Sequence, residues 1–233
     1  MASSRDKATE IARVSDEAWQ TAQKMTTPLS QESPPVPLGE LAEHAGIRRV
    51  RFEPLISDAG LARKGSDFEV VVNGDAFDGA PSAGTILEVG DPKWAEFTVP
   101  LRRTIAYEIA HLLFLNAAQK DQYSDLFRKN ERAVENGCNI LARVFLLPRQ
   151  MLLREVGERL FDVDHVKNLT AASRVSPEVF IRRLHLSDMR TDWKLDGFIA
   201  YVREQEGVLR IIVCLHRTGL TALWRRRNPR QNI

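Results

Sequence analysis

Residues 102–116, RRTIAYEIAHLLFLN, are apolar almost all round when wound as a helix. A helix of that composition has no solvent face and belongs at the centre of a fold. Into it the sequence sets Tyr107, Glu108 and His111, among Ile105, Ala106, Ile109, Ala110, Leu112, Leu113 and Phe114. Tyr107 and His111, four residues apart, share a face, and Glu108 lies one turn from His111. A carboxylate and an imidazole in such surroundings are costly unless paired, hydrogen-bonded or metal-bound. The helix therefore predicts a polar constellation inside the fold.

The spacing is that of H-E-x-x-H with Tyr107 in the place of the first histidine. Zinc-peptidase chemistry needs two neutral imidazoles one turn apart, a third protein ligand and an open position for water, with the glutamate as general base. Here Glu108 and His111 are present, but a phenol with a pKa of about 10 must lose a proton before it ligates well. On its own, YEIAH is also what a buried structural Glu–His pair produces. A second stretch, ERAVENGCNILARVFLLP over residues 131–148, sets Glu135 and Asn139 on one helical face, with Ile140, Leu141, Val144 and Phe145 towards a core. A glutamate on a second helix is where a two-helix site obtains its third ligand. Gly137 lowers helix propensity and permits close approach of a neighbouring helix.

Around these helices the pattern is mixed. Residues 4–25 predict a helix, TTPLSQESPPVP (26–37) a Pro/Ser-rich break that serves as a linker or a loop wrapping the body, and LGELAEHAGI a short helix ended near Gly46. RRVRFEPL and FEVVV read as strands, the second stopping at Asn73-Gly74. Residues 75–96 read as a long loop with one strand at TILEV. Helices follow over 98–117, 123–147 and PRQMLLREVGERL. Two short ones come next, joined at RVSPE, where Ser176 caps and Pro177 starts the second. Residues 196–216 read as a β-hairpin turning at Glu206-Gly207. The fold class expected is α+β, divided as 1–37 (helix and linker), 38–160 (core), 161–190 (helical segment) and 191–233 (hairpin and basic tail).

Bulk properties narrow the setting. A net charge of +2 excludes a global field for nucleic acid, and the run WRRRNPR reads as a solvated tail. Two cysteines, Cys138 and Cys214, are too few for a disulfide framework and fit a reducing compartment. The charged N-terminus has no apolar segment of a secretory signal, and no run of about 18 apolar residues occurs. The expected location is cytoplasmic, with no membrane contact.

Together the two motif stretches resemble the ImmA/IrrE family of zinc-peptidase-like proteins. Its pattern runs R-x-T-x-A-H-E-x-x-H, then, after a few dozen residues, E-x-x-A-N-x-F-A and a hydrophobic run ending L-L-M-P. RRTIAYEIAH matches the first block except at Tyr107, and ENGCNILARVFLLP matches the second with Cys138 for Ala and Leu141 for Phe. PPVPLGELAEHAGIRRVRF and FEVVVNG resemble the family's leading helix and strands, and LTAASRVSPEVFIRRLHLSD its helix-turn-helix-like segment. The resemblance spans roughly residues 20–190 and rests on order and spacing. It implies a zincin-like core, Glu108 as general base, and His111 and Glu135 as zinc ligands, with Tyr107 at the position of the first ligand. It also implies a helix-turn-helix repressor or antitoxin as partner.

Three functions follow as expectations. The favoured one is a metal-impaired pseudo-peptidase that acts by binding its repressor or antitoxin partner. The second is an active zinc endopeptidase, with Tyr107 tolerated or an introduced change. The third is a DNA-binding regulator using Arg174, Arg182 and Arg183, against which stands the packing of those helices on the core. No replacement ligand is nominated among His44, His165, His185 and His216, each of which reads as a surface or capping histidine.

Overall fold

The computed structural model describes residues 4–118, 123–156, 163–184, 186, 198–205 and 208–216. The chain divides into two units, Met1–Met151 and Leu152–Ile233. The fold is mixed α+β, as expected.

The first unit holds α1 (Ser4–Leu29), α2 (Leu38–His44), β1 (Ile47–Phe52), β2 (Ala59–Lys64), β3 (Asp67–Val72), β4 (Ile86–Glu88), α3 (Val99–Ala117) and α4 (Tyr123–Leu146). The four strands form one sheet in the order β2-β3-β1-β4, with β1 parallel to β3 and the outer strands antiparallel to their neighbours. Alternation sorts its faces. Val50, Phe52, Val70, Val72 and Leu87 are buried, and Phe52 meets Phe97 edge-on with centroids 6.1 Å apart. On the other face Arg49 and Arg51 of β1 grip Glu69 of β3 at 2.7 and 2.9 Å. Gly46, at φ +88°, ends α2 and turns the chain into β1.

Helix α3 is central, as its sequence requires: Leu101, Ile105, Ala106, Ile109, Ala110 and Leu112 are fully buried. It packs against α4, α1 and β2. Pro100 stands in its first turn, where a missing N–H removes no helical hydrogen bond. Buried Arg102 donates from Nη2 to the Val36 carbonyl oxygen at 2.8 Å, tying residues 30–37 to the start of α3. Of the two uses left open for the Pro/Ser-rich stretch, a loop against the body is what forms.

Two details of the first unit differ from expectation. Helix α1 runs four residues further, through Thr26, Thr27, Pro28 and Leu29. The Thr26 and Thr27 hydroxyls donate to the Ala22 and Gln23 carbonyls, and buried Met25, Thr26 and Leu29 anchor the turn despite the proline. Strand β2, AGLARK, lies between the two expected strands, in a stretch to which no element was assigned. It turns into β3 at Gly65, whose φ is +66°.

Helix α5 (Arg149–Val156) spans the division between the units. The second unit holds α6 (Val163–Ser173), α7 (Pro177–Leu184) and the antiparallel pair β5 (Phe198–Gln205) and β6 (Val208–His216). Ser176 accepts from the Val179 N–H at 3.2 Å, the cap its position predicts. The hairpin forms, and its turn at Glu206-Gly207 lies outside the described residues, as does the WRRRNPR tail.

Candidate active-site cleft

Helices α3 and α4 face each other so closely that a β-carbon at Gly137 would stand 2.4 Å from Cζ of Phe114. That approach brings the two motif stretches together. His111 Nε2 lies 3.6 Å from Glu135 Oε1. The Tyr107 ring meets the His111 ring edge-on, centroids 4.8 Å apart, and the Phe127 ring centroid is 6.1 Å from that of His111. Tyr107, Glu108, His111 and Glu135 thus line one recess of about 470 Å³, completed by Ala59 and Leu61 of β2 and by Phe127. A second recess of about 430 Å³ shares Ala59, Tyr107 and Glu108 and continues past Asp58, Phe77, Arg103 and Thr104.

Burial sets the electrostatics. It pushes the Glu108 carboxyl up to about 7 and the His111 imidazole down to about 4. Glu135 is raised for the same reason. His111 is therefore neutral near pH 7, and its contact with Glu135 is not an ion pair. Among the described residues no hydrogen bond reaches the Glu108 carboxyl, which is only 8% exposed yet borders both recesses. Asn139, one turn beyond Glu135, donates from Nδ2 to the Glu135 carbonyl oxygen at 2.9 Å. Cys138 is fully buried, and burial with the nearby charges of Glu135 and Glu108 raises its thiol pKa, so it is not a ready thiolate.

The donor chemistry tests the implied zinc. Bonds of about 2.0–2.2 Å in tetrahedral geometry set neighbouring donor atoms about 3.4 Å apart, close to the 3.6 Å between His111 and Glu135. A neutral imidazole is also the form a metal takes. The third side chain that the resemblance implies is Tyr107, a phenol whose ring stands against that of His111. Among the described residues no group of three or more His, Cys, Asp and Glu side chains converges. Two donors suit zinc, and the set as a whole does not fit a zinc centre.

The other histidines lie elsewhere. His44 is exposed at the end of α2, its Nδ1 2.8 Å from the Glu40 carbonyl oxygen. His165 is on α6 in the second unit. His185 and the side chain of His216 lie outside the described residues. The three arginines considered for DNA are poorly placed for it. Arg183 is fully buried, Arg182 pairs with Glu178 at 2.9 Å, and Arg174 is half-buried. Val179, Phe180, Ile181 and Leu184 bury most of the remainder of α7, which packs against β5 and β6.

Sequence reasoning missed the wall opposite α3. Phe127 and the β2 residues carried no motif, whereas Arg103, four before Tyr107 on the same helical face, was open to inference.

Residues 101–185 match the family model Peptidase_M78, the IrrE N-terminal-like domain. The match runs from α3 through α7 and bears out the resemblance to the ImmA/IrrE family. No curated protein matches the chain.

Proposed function

Taking residues 101–185 as an IrrE N-terminal-like domain, we propose that this chain uses a metallopeptidase fold to capture an extended segment of a helix-turn-helix repressor or antitoxin, with capture rather than hydrolysis as its output. One observation carries the reading: β2 is an edge strand of the sheet and borders both recesses of the motif helix. An open strand edge offers main-chain hydrogen bonds to an incoming segment, and the recesses beside it take alternate side chains. The capture needs no metal.

Tyr107 separates capture from cleavage. At pH 7 the loss of a phenol proton costs about 4 kcal/mol before a metal bond forms. A zinc endopeptidase is the second reading, favoured by the 3.6 Å spacing of His111 and Glu135 and by the raised pKa of Glu108. DNA binding draws no support from the buried Arg183 and the paired Arg182.

Two measurements on the purified chain, beside Tyr107→His, test the proposal: zinc content, and the fate of bound helix-turn-helix repressors. The expectation is little zinc in the unaltered chain, one per chain in the variant, and repressors bound intact and equally well by Glu108→Gln. Stoichiometric zinc in the unaltered chain, with repressor cleavage that a chelator stops, would establish the endopeptidase instead.

A further inference from the structure

The recess beyond Tyr107 holds a charge that the site as described does not use. Arg103 lines it together with Asp58, Phe77, Pro100 and Thr104. Four residues before Tyr107, it projects from the same face of α3. Its guanidinium pairs with no carboxylate among the described residues, and Asp58, which lines the same recess, forms no ion pair with it. The α3 side is rich in donors: the Arg103 fork, the Thr104 hydroxyl and the Tyr107 phenol. Buried Glu108 is common to both recesses, whereas Arg103 is exposed and open to an incoming group.

Strand β2 links this recess to the other. Ala59 borders both, Asp58 only this one, and Leu61 only the recess of His111 and Phe127. Side chains two apart on a strand lie on one face, about 6.5–7 Å from each other. A segment laid along β2 can therefore send one side chain to the apolar Leu61–Phe127 end and another to Arg103. A guanidinium fork beside apolar Phe77 and Pro100 suits a planar, bidentate acceptor better than a lone point charge.

We propose that Arg103 is a specificity-determining residue, and that the segment captured along β2 presents a carboxylate to it. The carboxylate is either an acidic side chain or the segment's own C-terminus. The proposal rests on the reading that β2 receives an extended segment. It deepens that reading by giving the ligand its chemistry: apolar at one end, anionic at the other.

The test uses the full chain and two synthetic libraries of random short peptides, one amidated and one with free C-termini. Hits are measured by fluorescence anisotropy on the unaltered chain and on Arg103→Glu and Arg103→Gln. The expected hits carry Asp or Glu at a fixed position in both libraries if a side chain is read, or come only from the free-carboxylate library if a terminus is read. Arg103→Glu is expected to weaken them roughly tenfold and to select Lys or Arg at that position, with Arg103→Gln between. Hits that need no carboxylate, or whose affinity ignores both substitutions, overturn the proposal and leave capture along β2 standing. No hits in either library overturn both. Arg103 is exposed, so circular dichroism matching the unaltered chain is expected for both variants.

Discussion

Phe114 on α3 packs so tightly against Gly137 on α4 that any β-carbon there would overlap its ring. Phe114 lies three residues after His111, and Gly137 two after Glu135. This contact therefore sets the helix separation that brings the imidazole and the carboxylate to 3.6 Å. Gly137→Ala gains helix propensity but forces a buried, rigid ring to move. A net loss of about 1–3 kcal/mol is expected in urea unfolding. Phe114→Leu in the same chain should restore part of it. A Gly137→Ala chain as stable as the original would remove the contact from this role.

The pairing of His111 with Glu135 makes a separate prediction about metal. In a Tyr107→His background, the added Glu135→Gln should lower zinc affinity by more than roughly 100-fold, measured by competition with a chelating dye. Glu135→Gln alone should change little if, as proposed, the unaltered donor set holds little zinc. Equal zinc affinity in the single and double variants would mean that Glu135 is not a ligand.

Glu69 gives the sheet an acid limit. Burial alone would raise its pKa, but hydrogen bonds from Arg49 and Arg51 outweigh that and hold it below its ordinary 4.5. A folded-state pKa below the unfolded one contributes stability that is present above about 4.5 and lost as pH falls through the folded value. Glu69→Gln should therefore lower the melting temperature at pH 7 and reduce its fall with acidification below pH 4.5. An acid limb unchanged by the substitution would assign it to other carboxylates.

Arg102 ties the loop before α2 to the motif helix through the Val36 carbonyl. Arg102→Met keeps much of the buried stem but leaves that oxygen without its donor. It should cost about 1–3 kcal/mol, with faster amide exchange over residues 30–37. Protection of the loop that survives the substitution would show that the proline-rich stretch is held by its apolar residues alone.

Legibility from sequence followed burial. Helices α3 and α4 were plain because their apolar residues are many and periodic, and the meeting of His111 with Glu135 was what the resemblance of the two motif stretches to a known family implied. Strand β2 was not. AGLARK has one large apolar residue, and an edge strand half open to solvent has little reason to alternate. Its absence from the reading hid one wall of the cleft and with it Asp58, Ala59 and Leu61. The end of α1 was misjudged because Pro28 reads as a stop, while the burial of Leu29 is a tertiary fact. The replacement of a histidine by Tyr107 was visible at once.

A border able to welcome a guest is equally able to adhere to its own kind. Strand β2 is short and ends in exposed Arg63 and Lys64, and such positive charge repels an identical border on another molecule. That guard covers only one end of the strand. At high concentration and high salt, where the repulsion is screened, the chain without its guest should turn sticky along this margin. Filling the margin with a peptide should keep it dispersed.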